Sequence, residues 1–134
     1  MKWMSIFNLF GLPPPDKRAR VEVGEARSEL FYYSYGLASL NLDGVRSVLG
    51  FFQHRPDLYE SRLEIVRFAV GYPGSLTDLM PGFERFEASE QQLRQFWTSV
   101  EVRLTSLVTG EPPRALPWES EASFRGCDLL NRLR

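Results

Sequence analysis

The chain has 134 residues, 43% of them hydrophobic and 25% charged, with a formal net charge of -1. That length fits one domain, the apolar content is that of a globular fold rather than a disordered chain, and the balanced charge gives no global field toward nucleic acid or an anionic membrane. A single cysteine, Cys127, excludes an intramolecular disulfide framework and suits a reducing, cytoplasmic compartment.

The chain opens on "MKWMSIFNLFGLPPPDKRAR". Ser5 and Asn8 interrupt the apolar run, and Pro13 to Pro15 stand where a signal peptide carries small residues, so a secretory signal is not expected. Twelve residues are also too few to span a bilayer, which takes about 20 in a helix. Trp3, Phe7 and Phe10 share one helical face. They are candidates for packing across the core or for contact with a membrane or partner. Residues 1–15 read as an apolar segment with a stiff proline spacer, residues 16–110 as a helical domain, and residues 111–134 as a Pro-rich turn and short terminal helix packed on that domain.

The first helical pattern runs through Val23, Ala26, Leu30, Tyr33, Leu37 and Leu40, spaced as one helix face, with Asp16 as its N-cap. The aromatic run "LFYYSY" also suits a strand, so an α+β fold with a strand in residues 28–42 is the alternative. Asp43 is expected to cap a second helix carrying Val45, Val48, Leu49 and Phe52. Pro56 stops it, and Asp57 with Glu60 forms a capping-box pattern for a third helix through Tyr59, Leu63, Val66 and Val70, closed by Gly71. Ser89 and Gln92 make another capping box before the longest pattern, Leu93, Trp97, Val100, Leu104 and Leu107, which Gly110 and Pro112 end. Four main helices with narrow apolar faces must bury them against one another. The expected fold is therefore an all-α, antiparallel helical bundle with a short C-terminal helix.

Chemistry is sparse along this frame. The one histidine, His54, sits at a helix end where a cation suits the helix dipole, and no nucleophile is placed beside it. Cys127 reads as a small packing residue, since no activating base is identifiable. One His and one Cys cannot build a His-Cys metal cluster, and there is no phosphate-binding glycine loop, so no cofactor or metal is expected. Glu22, Glu25 and Glu29 align along one side of the first helix, where Arg18 and Arg27 are expected to pair with them in part. The third helix offers a mixed face rather than the basic face nucleic acid demands.

If Tyr33 faces the core, Tyr32 and Tyr35 point away from it, and exposed tyrosines suit protein interfaces. Arg62, Glu64 and Arg67 are expected to add polar specificity to that surface. The chain is accordingly expected to be a non-enzymatic protein-binding module, of the inhibitor, immunity or adaptor kind, that occludes a protein partner; no small-molecule substrate is evident. The alternative is a peripheral membrane-associated assembly or structural protein anchored by residues 1–12.

Overall fold

A computed structural model describes residues 21–80 and 82–125. Within them the helices are α1 (Val23–Tyr33), α2 (Leu42–Phe52), α3 (Tyr59–Val70), α4 (Glu90–Thr109) and the single turn α5 (Ala122–Arg125). Short 3-10 turns at Pro56–Leu58, Leu76–Asp78, Phe83–Phe86 and Pro117–Ser120 join them. No strand occurs among the described residues. The all-α bundle holds, and residues 28–42 divide between helix and turn instead of pairing in a sheet.

The first helix is shorter than its periodicity predicts. Ser34 donates its hydroxyl back to the Leu30 carbonyl at 2.7 Å, and Gly36 adopts a left-handed φ of 79°, which reverses the chain. Leu37 still reaches the core and Leu40 is half-buried. The 3-4 spacing survives because the turn returns these side chains to the same interior.

Asn41, not Asp43, caps α2. Its Oδ1 accepts from the backbone N–H of Asp43 at 2.9 Å and of Gly44 at 3.4 Å, and from the Ser39 hydroxyl at 2.8 Å. This start is tightly built, since a Cβ on Gly44 would lie 2.0 Å from the Ser39 carbonyl oxygen. The capping box expected of Asp57 and Glu60 does not form. Pro56 begins a 3-10 turn, α3 starts at Tyr59 without a side-chain cap, and Asp57 instead receives Arg55 at 2.8 and 3.0 Å.

The box at α4 does form. Ser89 Oγ accepts from Gln92 N–H, and Gln92 Oε1 accepts from Ser89 N–H at 2.8 Å. Glu90, in the first turn, accepts from the Leu76 N–H and the Ser75 hydroxyl, tying the Leu76–Asp78 turn to the start of α4. Burial opposes ionisation of Glu90, but these hydrogen bonds outweigh it and hold its carboxyl below the usual range.

Leu93, Trp97, Val100 and Leu104 of α4 are almost fully buried, with Trp97 Nε1 donating to Met80 Sδ. Leu107, on the same stripe, is 40% exposed, although Val108 beside it packs against the core. Helices α3 and α4 pack antiparallel: Arg67 reaches Glu101 and Thr105, while Arg94, earlier in α4, donates to the carbonyls of Val70 and Gly74, later in the chain.

A second side of α4 is covered as well. Residues 111–121 cross it as a strap: Trp118 Nε1 donates to Ser99 Oγ at 2.9 Å, and Arg103 makes a two-pronged bond to Glu119 at 2.6 and 2.8 Å. Ser99, Val102 and Leu116 are buried, and Phe124 of α5 joins the main core. Burial of Glu119 opposes its ionisation, but the hydrogen bonds from Arg103 and Ser99 and the Arg103 charge prevail, leaving its carboxyl below the usual range.

Candidate protein interface

The turn at Ser34 to Gly36 determines which aromatic side chains of the first segment stay outside. Tyr33 packs inward, its ring 4.7 Å from that of Phe52 in an edge-to-face contact. Phe31 and Tyr32 are each more than half exposed, and Tyr35, just past the helix, is 81% exposed. Tyr32 rests on Phe51 with ring centroids 5.0 Å apart, and Phe31 meets Tyr35 edge-on at 6.3 Å. These aromatic pairs fix the orientation of side chains that burial does not explain.

Beside Phe31 and Tyr35 lies a groove of about 430 Å³, floored by Leu37, Ala38 and Phe83 and bordered by Arg85. Arg85 and Ala38 also line a larger polar cleft of about 720 Å³ that extends along Asn41, Phe86, Gln92 and Gln95 to Glu121. Arg85 holds the two together. It donates to the carbonyls of Gly82 and Leu37 and stacks over Phe86, 4.3 Å from the ring centroid. On the cleft rim Glu87 adopts a left-handed φ of 53°, a conformation that costs energy outside glycine.

The expected polar residues do not all join this face. Arg62 is buried rather than exposed. Its guanidinium lies 5.1 to 5.7 Å from the ring centres of Tyr33, Phe51 and Phe52, a cation–π arrangement, and its Nη1 has no hydrogen-bond partner. Helix α3 is rotated so that Arg62 supports the aromatic face from beneath. Glu64 is half-buried. Arg67 is exposed but paired with Glu101 on the α3–α4 seam. Trp3, Phe7, Phe10, Arg18 and Cys127 lie outside the described residues, and so does Asp16, which does not cap α1: that helix begins at Val23, after Glu22, without a side-chain cap.

Along the acidic stripe, the expected partner Arg18 lies outside the described residues, and the pairing expected of Arg27 does not form. Glu22, Glu25 and Glu29 form no ion pair among the described residues; Arg27 turns away from them and donates to the Asp78 carbonyl at 2.9 Å. Below the stripe, burial first and the Glu29 carboxylate second push the Tyr33 phenol far above its ordinary pKa. The Glu29 carboxylate is the acceptor facing its hydroxyl, outside ideal hydrogen-bond geometry. Phe31 escaped the sequence reading, although its i, i+4 spacing to Tyr35 was a usable signal.

His54 is exposed in the turn after α2. No group of three or more His, Cys, Asp or Glu side chains is placed to hold a metal among the described residues. No helix there is long and apolar enough to cross a membrane. Comparison with protein-family models, curated proteins and solved structures found no match. Among the described residues the exposed aromatic side chains Phe31, Tyr32 and Tyr35 gather at the end of α1.

Proposed function

We propose that this chain is a non-enzymatic protein-binding module of the inhibitor, immunity or adaptor kind, acting in the cytoplasm by occluding a protein partner. The observation that carries this reading is the exposure of Phe31, Tyr32 and Tyr35 on one helix end, beside an apolar groove. Large aromatic side chains held in place by their neighbours lose little conformational freedom on binding, which is why they concentrate at interfaces. A folding role would require them to be covered.

The test is the double variant Tyr32→Ala with Tyr35→Ala. Captured from its native host, the unaltered chain retains a specific partner, and the variant loses it while its thermal midpoint shifts by less than about 2 °C. A large fall in the midpoint with partner retention unchanged would make these tyrosines structural and remove the basis of the reading.

A further inference from the structure

We infer that residues 112–121 of the strap form a lid that opens away from α4 as a unit while the bundle beneath stays folded, with the Arg103–Glu119 bond as its latch, a property independent of the interface reading above. Among the described residues, no backbone hydrogen bond joins this lid to the bundle. Glu119 N–H donates to the Leu116 carbonyl and Glu121 N–H to the Trp118 carbonyl, while the Glu121 carbonyl accepts from Phe124 and Arg125. Side chains alone therefore dock the lid. A segment held in that way opens at a lower free energy than the molecule as a whole.

Both ends of the lid are tethered. The Ser106 hydroxyl donates to the Glu111 carbonyl and the Glu111 N–H to the Thr109 hydroxyl, whereas Phe124 is buried in the main core. Between these anchors Pro112, Pro113, Arg114, Ala115, Pro117 and Ser120 are exposed. Val102 and Leu116 are buried, yet neither belongs to the main core; Val102 shares with Pro112 and Pro113 the lining of a groove of about 340 Å³. Opening therefore gives up apolar burial only at Val102, Leu116 and part of Trp118. It also breaks the Trp118–Ser99 bond and the two-pronged bond between Arg103 and Glu119. Leu93, Trp97, Val100 and Leu104 remain packed with the core residues of α1, α2 and α3. What comes into solvent is the second side of α4, with the Ser99 hydroxyl, Val102 and the Arg103 guanidinium.

The experiment follows the indole N–H groups of Trp97 and Trp118 in the unaltered full chain, by NMR, during exchange into deuterium oxide. Trp97 donates to Met80 Sδ and Trp118 to Ser99 Oγ, so each reports the opening that breaks its own bond. Trp118 exchanges at least about a hundredfold faster than Trp97, and low urea accelerates Trp97 but not Trp118. Glu119→Gln speeds the Trp118 exchange about tenfold. A second probe is Val102→Cys in a Cys127→Ser background, treated with a thiol reagent. It reacts at a rate that low urea leaves unchanged and that Glu119→Gln raises about tenfold. Exchange of both indoles at one rate, with the same urea dependence, would overturn the inference, because the lid would then leave only with the whole fold. Trp118 exchange that ignores Glu119→Gln would overturn the latch. A thiol at position 102 that reacts only when urea unfolds the bundle would overturn the lid itself.

Discussion

Tyr33 and Arg62 put two polar groups where the chain has almost no water. The Tyr33 ring belongs to the core, yet its hydroxyl meets only the Glu29 carboxylate, outside ideal geometry, and Arg62 lies across the same ring with one amine unpaired. An unmade hydrogen bond in a buried site costs about 1–3 kcal/mol, so the apolar stems and aromatic stacking must outweigh it. A pH dependence follows. The Tyr33 phenol is held protonated by burial, and by Glu29 after that, whereas in the unfolded chain it ionises near pH 10, about the ordinary value. The Tyr33 contribution is fully present below that pH. From there upward the unfolded state binds fewer protons, so stability falls as pH rises. Urea titrations at pH 8 and above 10 should show this alkaline loss in the unaltered chain. Tyr33→Phe should diminish the loss while keeping stability at pH 8 within about 1 kcal/mol. An alkaline loss of the same size in the variant would mean that another group is responsible.

At the level of elements, α4 was the most legible and α1 the least, for a physical reason. In α4 the Ser89–Gln92 box, a long unbroken apolar period and a terminal glycine all agree, and each appears in the structure. Trp97, at the centre of that period, is fully buried. Trp97→Ala should cost about 3–5 kcal/mol, the range for a buried large aromatic, measured by chemical denaturation. A loss below about 1 kcal/mol would contradict the packing around Met80. Helix α1 has no comparable agreement among its signals. Its period continued past the true end because Leu37 and Leu40 return to the core through a turn, and spacing alone does not distinguish that from seven more helical residues. Asn41 was missed as a cap for a related reason: Asp43 is an equally good capping type, and only the fold shows whose side chain meets the free N–H groups. Arg62 was placed outside because a charge at a helical position usually is exposed; three aromatic rings arriving from α1 and α2 reversed that.

Across the whole molecule, the strap of residues 111–121 converts α4 from a helix with one buried side into one buried on two. The sequence pattern showed only the first side, since Ser99 and Arg103 look like solvent-facing residues until Trp118 and Glu119 come down on them. The Arg103–Glu119 bond is partly buried and two-pronged, and such bonds contribute more than exposed pairs. Glu119 is held below its unfolded pKa by Arg103, against the cost of burial. Its contribution is therefore present above the ordinary carboxylate value and is lost as pH falls through the folded one. Glu119→Gln should lower stability at pH 7 by about 1–2 kcal/mol and shrink the difference between neutral and acid midpoints. If the variant matched the unaltered chain at both pH values, the strap would be resting on Trp118 and Leu116 alone.

The close contact at the start of α2 reaches beyond this one sequence. With the Ser39 carbonyl oxygen 2.0 Å from where a Cβ would stand on Gly44, and a Phe96 ring carbon at 3.0 Å, no amino acid other than glycine enters without moving backbone. Most surface positions of a bundle drift freely, and apolar positions exchange among side chains of similar size. Position 44 has no such latitude. Any chain that descends from this one and keeps its architecture must therefore carry glycine three residues after the α2 cap, even where little else of the lettering survives. Position 41 is looser, since aspartate or serine caps a helix about as well as asparagine.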